Sequence, residues 1–475
     1  MKKLIAIALL LLMPAMAWSQ KKEIHILSAN DMHAALDRFP QLADIADSLR
    51  ALYPQLLVFS AGDNRTGDPL NDRYEIAAYP MVALMNQVGF NASTLGNHEF
   101  DSNPQGLAKL IDLSHFRHIC ANIQPDPQIG IHCIPCQVFD VEGTKVGVVG
   151  VVQLGIHGRP DTHPDNVTGI NFSPVNETVE KYKWLREQCD VVILLSHIGY
   201  DADVEISKDI PWVDLIIGGH SHTQLEGGEI HNGILITQNA NKLGKVTHTT
   251  LTVENGKVTA KKAENINVKT WPKKNKVVEN MVKFFSENND FGRVLTQAAT
   301  PFGTYEELGC LMSDAFRAEG HADIGVMNYG GVRYDILPAG NITVNDVLQL
   351  DPFGNDAVEL NLTGKELRDM LIACSRADED RFPIVSGITC EVTRDKNDST
   401  NIKSLQLFTP DGKKLNLKKT YKVVTNSYTT IVSDSPRKDQ GRSMNYQTSD
   451  MIINFLTKQP SVSYQGERRI KEMKK

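Results

Sequence analysis

The chain has 475 residues, 41% hydrophobic and 23% charged, which is apolar material for about two or three cores, since domains run roughly 100 to 200 residues. A small stapled scaffold is excluded, and seven cysteines, an odd number, cannot form a complete disulfide framework. With 57 acidic against 50 basic residues the net charge is −7, so no basic excess advertises a nucleic-acid polymer as partner.

Residues 1–19 read as a secretory signal peptide: Lys2 and Lys3 precede an apolar run from Leu4 to Ala17, broken at Pro14, with small residues at Ala15, Ala17 and Ser19. That run is too short to anchor in a bilayer. No cysteine follows it to carry a lipid, and no later segment approaches the ~18 apolar residues of a membrane helix. The mature chain is expected to be periplasmic or secreted, without a membrane anchor. The sequence specifies no oligomeric state.

From Glu23 to about Val253, short apolar runs alternate with helical patterns, the mark of layered sheets and helices. EIHILSA, QLLVFSA, VGVVGVV, DVVILLS and VDLIIGG read as strands buried on both faces. FPQLADIADSLRALY and YPMVALMNQVG repeat apolar residues at three and four and read as covering helices. Cys120, Cys133 and Cys136 lie close to His118 and His132, but a single Cys-x-x-Cys without a second pair favours a structural disulfide or buried thiols over a zinc cluster.

The charged stretch WPKKNKVVENMVKFFSENND has a helical pattern through Val278, Met281, Val282 and Phe285 and marks the boundary. The expected division is 20–265 for a first domain, 266–292 for a linker helix and 293–475 for a second. In that second, mixed α/β domain, EELGCLMSDAFRAEG reads as a helix and ADIGVMN as a strand. TGKELRDMLIAC reads as a helix capped by Thr363, and Asp411 with Gly412 as a hairpin turn.

Ligand-type residues stand at the ends of the buried strands, where open α/β sheets place their sites. Asp31 and His33 follow the first strand, Asp63 the second, Asn97, His98 and Asp101 a third region; His197 ends DVVILLS, and His220 and His222 follow VDLIIGG. One histidine after a strand is ordinarily a satisfied surface or core residue. Five strand ends together have no comparably simple structural reading, because polar groups gathered at a sheet edge cost stability unless an ion is there. Imidazole and carboxylate suit zinc, manganese or iron, and the count exceeds one tetrahedral ion. A pair of ions clamps the oxygens of an in-line displacement, which is the chemistry of phosphate ester hydrolysis. Asp63 on its Gly-Asp turn is the candidate bridge, His98 a proton donor to a leaving oxygen, and Asp101 its orienter.

In order, NDMH, AGDN, LGNHEFD, LLSH and GGHSH resemble the calcineurin-like metallophosphatases, and LGNHEFD resembles the form in the periplasmic and ecto-5'-nucleotidases. NYGGVR (328–333) resembles that family's Asn-Gly-Gly-Gly-x-Arg segment and DPFGN (351–355) its aromatic loop. The resemblance implies a four-layer α/β/β/α sandwich followed by a smaller mixed α/β substrate-binding domain, α+β overall. It implies two divalent ions, zinc or manganese, one held by Asp31, His33, Asp63 and His222 and the other by Asp63, Asn97, His197 and His220. His98 and Asp101 would be the catalytic dyad.

In the second domain the resemblance gives Arg333 to phosphate, Asn328 to the nucleoside, Phe353 and Tyr428 to the two faces of the base, and Asp434 to the substrate as well. Three features depart from the family. Tyr428 replaces a phenylalanine, Val432 and Ser433 replace glycines, and TPFGTYEELGCLMSDA lacks an arginine that the family usually carries there. The implied function is hydrolysis of nucleoside 5'-monophosphates to nucleoside and phosphate. Hydrolysis of UDP-sugars or nucleoside diphosphates, 2',3'-cyclic nucleotide phosphodiesterase activity, and a catalytically silent nucleotide- or metal-binding protein are the alternatives.

Overall fold

Strands that are apolar on both faces need cover on both faces, and the N-terminal half provides it with two six-stranded sheets packed face to face. The structure is a computed structural model describing residues 21–287, 291–334, 336–378, 381–395 and 401–474. The expected signal peptide at 1–19 lies outside the described residues. The first sheet runs, edge to edge, Lys257–Asn267, Lys245–Glu254, Lys22–Ala29, Leu57–Ser60, Ala92–Ser93 and Arg117–His118. The second runs Glu229–His231, Ile234–Thr237, Leu215–Gly218, Val191–His197, Thr144–Val152 and Cys136–Val141.

Side chains alternate along each strand with a period of two, and the alternation sorts them into layers. Ile24, Ile26, Leu57 and Phe59 meet Val146, Val148, Val191 and Ile193 between the sheets. Leu27, Ala29 and Val58 point the other way, onto helices Phe39–Leu52, Tyr79–Val88 and Lys276–Ser286. Val192, Leu194 and Ile216 pack outward against Val179, Leu185 and Ile206 of three short helices. The result is a four-layer α/β/β/α sandwich. Helix Lys276–Ser286, capped by the Asn275 side chain accepting from the Val277 and Val278 N–H groups at 2.9 and 3.2 Å, lays Val278 and Phe285 into this first domain.

Parallel register makes the strands finish level. Ile26 pairs with Leu57 and Ala29 with Ser60; Leu215 pairs with Ile193 and Gly218 with Ser196; Val152 pairs with His197. The loops that leave these ends therefore share one edge of the sandwich.

The second domain has a five-stranded mixed sheet ordered Ile384–Ser386, Ile324–Met327, Thr420–Asn426, Asp356–Thr363 and Arg442–Gln447. Helices Tyr305–Glu319 and Thr448–Thr457 cover one face, and Gly364–Ala377 covers the other. Thr363 caps the last of these in a capping box with Glu366. No helix among the described residues is long and apolar enough to cross a membrane. All seven cysteines are free thiols, five of them buried, and among the described residues no metal-type group includes one.

Candidate active site

Three groups of ligand atoms lie at the shared edge, each with its atoms within 4.8 Å of one another: Asp31, His33 and His222; Asp63, His197 and His220; and His33, Asp63 and His98. Asp63 links the second group to the third, and its Oδ2 is 3.9 Å from His33 Nε2 and 3.2 Å from His197 Nε2. Asn97 turns its Oδ1 to within 3.0 Å of His220 Nδ1 and donates from Nδ2 to the Asp161 carbonyl at 3.2 Å. The seven residues expected at two ions are thus brought together.

The backbone is bent to achieve this. Asp31, His33, Asp63, His220 and His222 all have positive φ, 47°, 43°, 51°, 76° and 53°. Residues other than glycine pay about 1–3 kcal/mol for such conformations, which cluster at functional sites. Close approach requires glycine at two neighbours: a Cβ on Gly96 would lie 2.2 Å from Asp63 Oδ1, and one on Gly219 would lie 2.8 Å from His197 Nδ1.

Glu99, buried at 4% exposure, holds the Asp63 turn against the Asn97 loop. Its carboxylate accepts from the N–H groups of Asp63 (2.9 Å), Asn64 (2.8 Å) and Gly96 (2.6 Å), and from Asn64 Nδ2 (3.1 Å). Burial, and after it the charge of Asp63, raises this carboxyl. The residue stands inside the LGNHEFD motif, but its role is visible only once the turn is in place.

Ring orientation fits metal ligation. His33 Nδ1 lies 2.9 Å from the Thr66 carbonyl and His197 Nδ1 2.6 Å from that of Ala61, so each donates there and turns its Nε2 toward the cluster. Burial lowers the His197 pKa, but Asp63 outweighs it and raises it to about 10, so the Nε2 proton is one that a bound ion would displace. His197 is fully buried, and its Nε2 faces Asp63 without hydrogen-bond geometry and without another partner among the described residues. Burial, then Arg333, holds the His33 imidazole well below its usual range. Burial with His197 lowers His220 to about 4, so both rings are neutral, as ligands must be. Burial opposes ionisation of Asp63, but His197 and His98 outweigh it and keep its carboxyl well below the usual range.

His98 is held differently. Its N–H donates to Asp63 Oδ1 at 2.9 Å and its Nδ1 to Asp101 Oδ2 at 2.7 Å. Thr66 and Thr162 hydroxyls donate to the same aspartate at 2.7 and 2.9 Å, so the dyad is fixed from two loops. Burial lowers the His98 pKa, but Asp63 and Asp101 overcome it and leave a net rise.

A cavity of about 290 Å³ opens over this cluster and is lined from both domains. Arg333 Nη2 lies 3.3 Å from His33 Nε2. The Phe353 ring stacks on His98 at 5.7 Å and 21°, with the Arg333 guanidinium 5.6 Å from its centre. Asn328 and Tyr428 also line the cavity. Asn328 Oδ1 accepts from Asn426 Nδ2 at 2.9 Å, tying the Tyr329–Gly331 turn to the Tyr428 helix.

Asp434 is not brought to the site. Val432 and Ser433, which replace the glycines of the resembled segment, are buried, and Asp434 beyond them is exposed and outside the cavity lining. Residues that sequence reasoning did not single out complete the wall, among them Thr162, Lys242, Tyr305, Tyr329, Asp378 and Arg381. Tyr329 stands inside the NYGGVR segment and Tyr305 opens a helix, whereas the others lie in segments with no motif of their own.

Stacked sheets whose strand ends converge on imidazole, carboxylate and amide oxygens define a metal-dependent phosphoesterase. Residues 24–224 match the calcineurin-like phosphoesterases and residues 286–435 the 5'-nucleotidase C-terminal domain. The chain belongs to the family that joins these two domains. The 5'-nucleotidase of Vibrio cholerae is 28% identical over 502 residues, covering 89% of this chain and 87% of that one. Protein UshA of Yersinia enterocolitica is 27% identical over 499 residues, covering 88% of each. The trifunctional nucleotide phosphoesterase protein YfkN of Bacillus subtilis is 26% identical over 519 residues; the match takes in 95% of this chain but 35% of that relative's length. A 5'-nucleotidase precursor from Thermus thermophilus shares the fold, with a TM-score of 0.83 at 23% identity over 95% of this chain and 99% of that one.

Proposed function

We propose that the protein is an exported dimetal phosphohydrolase that cleaves nucleoside 5'-monophosphates to nucleoside and phosphate. The observation that carries the reading is the convergence of ligand groups on Asp63 beneath a cavity closed by Arg333, Phe353 and Tyr428. Export rests on the leader pattern of residues 1–19. Asp31, His33, Asp63 and His222 would hold one ion, and Asp63, Asn97, His197 and His220 the other. This mixed nitrogen and oxygen set suits zinc or manganese. Two such ions supply Lewis acidity toward a phosphoryl oxygen and make hydroxide available near neutral pH.

The remaining work belongs to the chain. Arg333, beside His33, binds the phosphate oxygens and fixes them over the cluster. His98, its Nδ1 occupied by Asp101, presents Nε2 to the cavity and hands a proton to the departing 5' oxygen. The rise in its pKa favours the protonated form that this step needs. Phe353 and Tyr428 offer apolar faces to the base, each ring contributing roughly 1–3 kcal/mol by analogy with base stacking elsewhere. Asn328 keeps amide hydrogens for the nucleoside, its oxygen being taken by Asn426.

The test is phosphate release by the purified protein with added zinc, manganese or magnesium, from AMP, ADP, UDP-glucose, a 2',3'-cyclic nucleotide and an aryl phosphate. AMP is expected to have the highest kcat/KM. No release from AMP with any metal would overturn the reading and leave a silent binding protein.

A further inference from the structure

One wall of the cavity is a ladder of three side chains from distant segments. Tyr305 opens helix Tyr305–Glu319, Tyr329 opens the turn after strand Ile324–Met327, and Arg381 follows helix Gly364–Ala377. The two tyrosine rings stack at 5.5 Å and 12°, within the range of favourable aromatic pairs. The Arg381 guanidinium lies 5.0 Å from the centre of the Tyr329 ring, close enough for a cation–π contact. Backbone bonds fix the ladder: the Gly330 N–H donates to Asp378 Oδ2 at 2.6 Å, and the Arg381 N–H to the Asp378 carbonyl at 2.9 Å. Of the three residues in the Tyr329–Gly331 turn, only Tyr329 carries a side chain, so that ring alone decides how much space the turn leaves. Arg381 is exposed, which places the ladder's outer end at the mouth.

The cavity these residues bound measures about 290 Å³, at the lower limit of ligand pockets, which span roughly 300–1,000 Å³. A void of about 150 Å³ accommodates one benzene ring, so the enclosed space is about two such voids, the scale of a single nucleotide and not of two ring-bearing halves joined through phosphate. We propose that the Tyr305–Tyr329–Arg381 ladder is a specificity determinant that restricts the cavity to one nucleoside and its phosphate and excludes substrates with a further ring-bearing group beyond the phosphate, the nucleoside-diphosphate sugars being the test class. This rests on the nucleotidase reading. The ladder acts by occupying volume, so shortening it changes the ratio between substrates, whereas loss of a merely structural contact lowers both together.

The experiment compares kcat/KM for AMP and for UDP-glucose in the metal-loaded wild type, Tyr329→Gly and Arg381→Gln, with folding of each checked by circular dichroism melting. The wild type prefers AMP, and in Tyr329→Gly that preference falls by about tenfold or more, the scale of discrimination by pocket shape; Arg381→Gln shifts it in the same direction by less. A preference that moves less than this in Tyr329→Gly overturns the inference. Should that variant not fold, Tyr305→Ala is read by the same criterion. A wild type active on AMP and equally active on UDP-glucose defeats the ladder's role while leaving the phosphohydrolase in place, and a wild type inactive on AMP defeats the underlying reading.

Discussion

Replacing Glu99 by glutamine tests whether the Asp63 turn is held by one buried carboxylate. Oε2 accepts from the Asp63 and Gly96 N–H groups, and Oε1 from the N–H and Nδ2 of Asn64. A carboxamide keeps one oxygen, so in either orientation two of these four donors face an NH2 group. Bonds to a charged acceptor contribute roughly 1.5–3 kcal/mol each, giving a gross loss of about 3–6 kcal/mol. Part of it is offset because Glu99→Gln also removes a charge that burial and Asp63 disfavour. A net loss of about 2–4 kcal/mol remains, or roughly 5–15 °C in Tm for a domain of this size. Because the turn carries Asp63, metal affinity should fall about 10- to 100-fold. Calorimetry of the apo and metal-loaded forms measures the first, and titration followed by metal analysis the second. A Glu99→Gln variant with wild-type Tm and wild-type metal affinity would refute the reasoning.

Three further outcomes are expected. His98→Ala should lower kcat by about 10² to 10⁴ while bound metal, measured on the same sample, stays at the wild-type stoichiometry; loss of metal would make His98 a ligand instead. Chelation should abolish turnover and lower stability by about 3 kcal/mol for each ion formerly present at a hundred times its Kd, with both restored by zinc or manganese; full turnover by metal-stripped protein would contradict the site. Burial raises the Asp68 carboxyl to about 7, so the folded chain holds a proton that the unfolded chain has released above roughly pH 4. Its contribution is therefore complete below that pH and declines as pH rises from there through about 7, and Asp68→Asn should gain progressively on the wild type, reaching roughly 2–4 kcal/mol by about pH 8. Parallel Tm-against-pH curves would show the assignment wrong.

Much of the first domain is legible because a strand buried on both faces has few alternative readings. VGVVGVV and DVVILLS become Thr144–Val152 and Val191–His197, and parallel register then forces their ends to one edge, carrying His197 with them. The expected ligands are visible because five such strand ends carry Asp, Asn or His together, although any one of them alone would read as an ordinary surface or core residue. Residues that act through folding at a distance are not visible. Thr162 reaches Asp101 across 61 positions, and Arg381 reaches Tyr329 from another helix end. Asp434 shows how spacing and placement can part. Its spacing from Tyr428 matches the resembled motif, yet with Val432 and Ser433 in place of glycines the intervening side chains are buried and the aspartate is turned outward.

The left-handed backbone at Asp31, His33, Asp63, His220 and His222 restricts the evolutionary routes open to this centre. Among residues with a side chain, Asn, Asp and His tolerate that conformation best, so the chain trace itself selects much of the alphabet from which ligands are drawn. Exchanging one of these residues for a β-branched side chain would add local strain to any loss of a donor. Drift in metal preference is therefore channelled toward Asp, Asn and His exchanges at these positions, or toward neighbours such as Asn97, whose φ of −68° imposes no such filter.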